Sequence, residues 1–181
     1  MPKQQELKER AQAAKDKAAA IGADLDLSQY KPSQTPHQLM AETELCELPQ
    51  DEQNSLLMAG VDVSGKDRGG TFIMKDSSTV HCSVKQEGIE VLPIRQALEH
   101  HDWVRDYYWK LAQVDADKYT AAAMLDLHDG YVIRALPGSK TIYPIQACLY
   151  MDQNDIQQNV HNIIIAEEGS ELHIISGCAT S

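Results

Sequence analysis

The stretch Val160-His161-Asn162-Ile163-Ile164-Ile165-Ala166-Glu167-Glu168-Gly169-Ser170-Glu171-Leu172-His173-Ile174-Ile175-Ser176 decides the fold of this chain. It holds two short apolar runs, residues 160–166 and 171–176, parted by a tight Glu167-Glu168-Gly169 turn. A strand that alternates apolar and polar residues buries one face. Ile163-Ile164-Ile165 has no polar face to offer and needs cover on both sides. Upstream, residues 131–136, the Pro137-Gly138 turn and residues 143–150 repeat the pattern with no helix between. Short strands, tight turns and two apolar faces predict a coil of stacked strands, a β-solenoid, in preference to a one-sided antiparallel sheet. From Gly130 onward the chain supplies about two such coils.

Before Gly130 the periodicity is mixed. Leu7, Ala11, Ala14, Ala18 and Ile21 recur at helical spacing ahead of Gly22, predicting an N-terminal helix over residues 3–21 with a thin, alanine-rich face. Thr35-Pro36-His37-Gln38 reads as a capping box launching a helix that Pro49 ends, and residues 50–59 predict a third helix closing at Gly60. Residues 71–74, 79–85 and 89–94 are short runs rich in β-branched side chains between turn formers. In the second of these, alternation puts Val80, Cys82 and Val84 in the core and His81 outside. Residues 95–112 return to helical spacing, and residues 117–127 fit neither period cleanly but favour helix. The expected fold is α+β: a helical region at 1–60, a mixed α/β region at 61–129 and the start of a β-helix at 130–181.

Composition removes several function classes. A net charge of -11 opposes binding to nucleic acid or an anionic membrane, and no Lys or Arg follows Lys140. No stretch has the length and apolarity of a membrane span, and the N-terminus lacks an apolar signal region. Cys46, Cys82, Cys148 and Cys178 form no Cys-x-x-Cys pair, so reduced thiols in the cytoplasm are expected.

Three places look like chemistry. Gly60-Val61-Asp62-Val63-Ser64-Gly65-Lys66-Asp67 nearly matches a phosphate-binding loop, but Asp67 stands where magnesium needs a hydroxyl, and a helix precedes it instead of a strand. Among metal-ligand types, His81-Cys82 alternates faces and His100-His101 diverges on a helix, which leaves Cys148, His161, His173 and Cys178 on successive strands with no recognisable zinc spacing. Cys178 shares parity with Leu172, Ile174 and Ser176, so it faces the coil interior. Free cysteines there are usually core residues; the functional reading is a thiol lining an internal channel, able to accept sulfur or bind iron. A third reading, a cysteine-dependent enzyme, rests only on His173 lying near Cys178 in sequence.

The run from His161 to Cys178 resembles the first β-helix coils of the SufB/SufD family of iron–sulfur cluster assembly proteins. The resemblance extends through Gly70-Thr71-Phe72-Ile73-Met74-Lys75-Asp76, Gly88-Ile89-Glu90-Val91-Leu92-Pro93-Ile94, Asp117-Lys118-Tyr119-Thr120-Ala121, Asp129-Gly130-Tyr131-Val132-Ile133 and Tyr143-Pro144-Ile145-Gln146. It implies a helical N-terminal domain leading into a right-handed parallel β-helix. It also implies pairing with a SufB/SufD-type paralogue or second copy, a SufC-like ABC ATPase as partner, and a sulfur donor protein. The expected role is a non-enzymatic scaffold subunit, or fragment of one, that helps build and transfer clusters held only transiently. By this resemblance Cys178 falls on the Gly-Cys of SufB-type members, a candidate cluster or sulfur contact; His173 and His161, from the looser ligand set above, are the candidate metal ligands beside it. Ser176 stands where the family commonly has Glu, and members are about twice as long. The alternative is a cofactor-free β-solenoid pairing module.

Overall fold

The computed structural model describes residues 2–32 and 36–180. Its frame is two sheets laid face to face. The first has strand order β3-β2-β6-β9, made of β2 (Gly70–Lys75), β3 (Ser78–Val84), β6 (Ile145–Met151) and β9 (Ile174–Thr180). The second has order β4-β5-β8, made of β4 (Ile89–Pro93), β5 (Tyr131–Ala135) and β8 (Ile163–Ala166). Within each, an antiparallel pair, the hairpin β2 with β3 in one and the sequence-distant β4 with β5 in the other, is extended by parallel strands. Val132 lies beside Ile163, Lys140 beside Glu171 and Ile145 beside Ile174, so parallel neighbours in both sheets are roughly thirty residues apart in sequence. A two-residue pair, β1 (Lys31–Pro32) with β7 (Ile156–Gln157), lies apart.

The mixed α+β class expected from sequence is what the chain adopts. Its inner core, between the sheets, contains Phe72, Met74, Val91, Tyr131, Ile133, Ile145 and Ala147. Each large side chain buried there contributes about 1.5–3 kcal/mol of transfer free energy. The outer faces are apolar too. Ile73, Cys148 and Tyr150 pack beneath α2 (Glu42–Leu45) and α3 (Gln50–Met58) through Leu45 and Leu56, while Val132, Ile163 and Ile165 pack beneath α4 (Ile94–His100) and Val104. The isoleucine run itself is covered on one face only: Ile163 and Ile165 are buried, whereas Ile164 between them is exposed, against the expectation of two covered faces. Strands from residues 70–93 share both sheets with strands from residues 131–180, so the sheets run across residue 129.

Several local expectations change. The first helix, α1 (Pro2–Ala14), stops seven residues before Ile21, which is 89% exposed. Ala11 and Ala14 are fully buried against α5 (Lys118–Leu125) and Val114, and the Ala20 N–H then bonds to Asp117, which caps α5 through Thr120. The thin face thus docks within the chain. Thr35 lies outside the described residues, and residues 36–40 are not helical. Their groups are tied to β3 instead, His37 N–H to Ser78 Oγ and Met40 N–H to Val80 O, so helix forms only over Glu42–Leu45.

His81 is buried rather than exposed. Ile73 pairs with His81 and Met74 with Thr79, leaving Val80 as a bulge that breaks the two-residue alternation. Val80 therefore packs under α2 and α3 while Cys82 faces the inner core. The His81 ring meets Met40 O and Ser83 Oγ, both at 2.9 Å. The helix expected over residues 95–112 ends at His100, because His101 is extended (φ -128, ψ 103) and the chain turns back through a 3-10 segment, Asp102–Asp106. This reversal stacks Trp103 under Arg134 at 4.3 Å and Trp109 on His161 at 4.3 Å. Among the described residues no helix is long and apolar enough to cross a membrane.

Candidate functional site at the open strand edge

β8 and β9 are the last strands of their sheets, and the interior between them is open on that side. Ile164 pairs with Ile133 of the inner core yet is 55% exposed. On β9 the Ser176 hydroxyl meets the Tyr131 hydroxyl at 3.4 Å, so the inner face carries Ile174, Ser176 and, two residues on, Cys178. The face expected for Cys178 is the inner one. Its burial is not as a core position would have it: Cys178 is exposed, since no described strand pairs beyond β9.

The opposite face of β9 explains the residue before it. A Cβ on Gly177 would sit 2.1 Å from the Ala59 carbonyl oxygen at the end of α3, so only glycine fits that approach. Next to it, Asn54, Ser55 and Met58 of α3 and Cys178, Ala179 and Thr180 of β9 border a shallow depression of about 330 Å³. Met58, 89% exposed, is the large apolar side chain on the α3 side of this depression. Sequence reasoning missed this neighbour because more than a hundred residues separate α3 from β9, and the only local signal was an unexplained glycine.

The other residues singled out from sequence lie elsewhere. His173 is exposed on the approach to β9, its N–H donating to Thr141 Oγ1 at 2.8 Å and its carbonyl accepting from Ile145 N–H at 2.9 Å. Five residues of extended strand separate it from Cys178, about 16 Å, on the other parity. His161 sits between Trp109 and Tyr108, with ring centroids 4.3 and 5.0 Å away, and Nε2 accepts from the Trp109 N–H at 3.5 Å. Burial lowers its pKa to about 4, which keeps it neutral at ordinary pH. Cys148 is buried beneath α3 and Cys82 against the inner core; burial pushes both thiols up to about 12, which keeps them protonated at neutral pH. The structure does not bring His161, His173 and Cys178 together, and no group of three or more His, Cys, Asp or Glu side chains converges among the described residues. All four cysteines are free.

Comparison with known proteins gives this chain a family. No family model matches the chain. A protein of Methanothermobacter thermautotrophicus (strain Winter), the iron-sulfur cluster assembly SufBD family protein MTH1150 homolog, is 42% identical over 176 residues, covering 94% of this chain and 42% of that protein. A SufBD family protein of strain Delta H is 41% identical over the same shares. One from Archaeoglobus fulgidus is 44% identical over 129 residues, 71% of this chain and 35% of that protein. Over the matched stretch the chain belongs to the iron–sulfur cluster assembly SufBD family. It spans less than half the length of these relatives.

Proposed function

We propose that this chain takes part in iron–sulfur cluster assembly as a scaffold element of the SufBCD type, with no catalytic turnover of its own. The reading is carried by the exposed inner-face Cys178 at the edge of a parallel stack. In it the stack continues as a right-handed β-helix, and further strands laid on β8 and β9 cover Ile164 and enclose the thiol. Cys178 then accepts sulfur or contacts a nascent cluster, which is cargo passed on to other proteins. Further ligands come from the covering strands or from a SufB/SufD-type partner, since His161 and His173 do not reach Cys178 in this chain. A SufC-like ATPase supplies the energy for the cycle.

Anaerobic reconstitution with ferrous iron and sulfide, in the presence of the paralogue and ATPase, tests this. The expected result is charge-transfer absorption that falls by more than half in Cys178→Ala and stays intact in Cys46→Ala. Equal absorption in the two variants removes Cys178 from the site. The open edges also favour self-pairing, the role of a cofactor-free module; a strict monomer by sedimentation at high concentration counts against it.

A further inference from the structure

The cover that the helices lay over the outer face of the first sheet leaves a gap. α2 is a single turn, Pro49 parts it from α3, and the irregular strap 36–40 completes the cover. Between this cover and the sheet lies a cavity of about 240 Å³. Ile73, Val80 and Tyr150 of the sheet floor it, Leu56 of α3 walls it, and Leu45 of α2 with Met40 of the strap roofs it.

The two ends of the roof are held differently. The strap hangs on polar contacts: His37 Nε2 meets the fully buried Asp76 carboxylate at 2.9 Å, the Met40 N–H donates to Val80 O at 2.6 Å, and Met40 O meets the His81 ring at 2.9 Å. The end of α2 is tied to α3, because Gln53 Nε2 donates to Cys46 O at 3.0 Å and to Leu48 O at 2.7 Å. Ile73, Val80 and Tyr150 are 2%, 4% and 2% exposed, so a guest reaches the floor by lifting the strap.

The ionic groups at the mouth already face one another: Lys75 pairs with Glu52 at 3.0 Å and Asp152 at 3.1 Å, and His37 lies on Asp76. A charged guest gives up its hydration there without gaining a free counter-charge, which selects an uncharged one. One polar group stays open. The Tyr150 hydroxyl, on a side chain almost wholly buried, makes no hydrogen bond among the described residues. Burial and the Glu52 and Asp152 carboxylates raise its pKa, so it remains a donor at neutral pH. An apolar cavity of roughly 150 Å³ holds benzene, so about 240 Å³ holds a ring and a short substituent. We infer that this cavity takes a small uncharged, largely apolar molecule with one acceptor oxygen, an aryl ketone for example, its ring among Met40, Leu56, Ile73 and Val80 and its oxygen on the Tyr150 hydroxyl. The inference is independent of Cys178 and of the scaffold role.

The test is a methyl NMR titration of the full chain with acetophenone and, separately, with benzoate. Acetophenone is expected to give saturable shifts concentrated on Met40, Leu56, Ile73 and Val80, and benzoate to bind at least about tenfold more weakly. Tyr150→Phe keeps the ring and its packing, and is expected to weaken acetophenone about fivefold through loss of one hydrogen bond. Absence of saturable shifts up to about 10 mM acetophenone overturns the inference, as do shifts centred elsewhere. Benzoate binding as tight as that of acetophenone, or unchanged acetophenone affinity in Tyr150→Phe, overturns it too.

Discussion

Gln146→Leu removes from β6 a side chain of similar size and leaves its partners, Asp62 and Arg68 of the loop before β2 and the Thr71 hydroxyl, in place. Four hydrogen bonds disappear, each with a net value of about 0.5–1.5 kcal/mol. The partners differ in their recourse to water. Asp62 and Arg68 are only half-buried and rehydrate, whereas the Thr71 hydroxyl, fully buried, is stranded and alone costs about 1–3 kcal/mol. Leucine's extra apolar burial returns about 1 kcal/mol, which leaves a net loss of about 3 kcal/mol. With a urea slope of about 2 kcal/mol/M, the unfolding midpoint falls by about 1.5 M. Thr71→Val on top of Gln146→Leu removes the stranded hydroxyl and restores about 1 kcal/mol or more. A midpoint lowered by less than about 0.5 M, or no recovery in the double variant, refutes the view that this amide clamps the loop to the sheet.

Three other outcomes follow from the packing. His161, with its pKa lowered from 6.5 to about 4, binds a proton in the unfolded chain before the folded one, so it costs stability as pH falls through that window. His161→Phe keeps the stacking and removes that loss, at most about 3 kcal/mol and about half that after solvent screening. Asp129, raised by burial, acts in the opposite sense in both proteins and cancels in the difference, read from urea midpoints between pH 6.5 and 4. Identical slopes for the two proteins sink it. Gly177→Ala drives a methyl into the Ala59 carbonyl, and overpacking of this kind costs about 1–3 kcal/mol; thermal unfolding at the wild-type midpoint disproves the close approach. At neutral pH, Cys46 and Cys178 are expected to alkylate readily while Cys82 and Cys148 react only on unfolding, and mass spectrometry showing early modification of Cys148 contradicts the packing beneath α3.

What the sequence determined by itself is the part governed by short-range periodicity. The turn residues bracketed the strands, and α+β followed from helical spacing before residue 60 and strand runs after it, whereas the second covered face that Ile163-Ile164-Ile165 called for is missing at the exposed Ile164. The inner face of Cys178 was legible in the same way, because alternation along an unbroken strand fixes direction. Burial was not, since it depends on what lies beyond β9 rather than on β9. Local rules failed where distant groups compete for the backbone. The β3 bulge at Val80 reversed His81, the chain beyond the end of α1 at Ala14 is tied to Asp117 through the Ala20 N–H, and the extended backbone at His101 ended the helix expected through residue 112. The tertiary structure alone decided that His161, His173 and Cys178 stand apart, and that Gln146 on β6 fastens Asp62 and Arg68 of the loop before β2. Both outcomes depend on strand register, which is fixed by packing across the whole sheet rather than by any one segment.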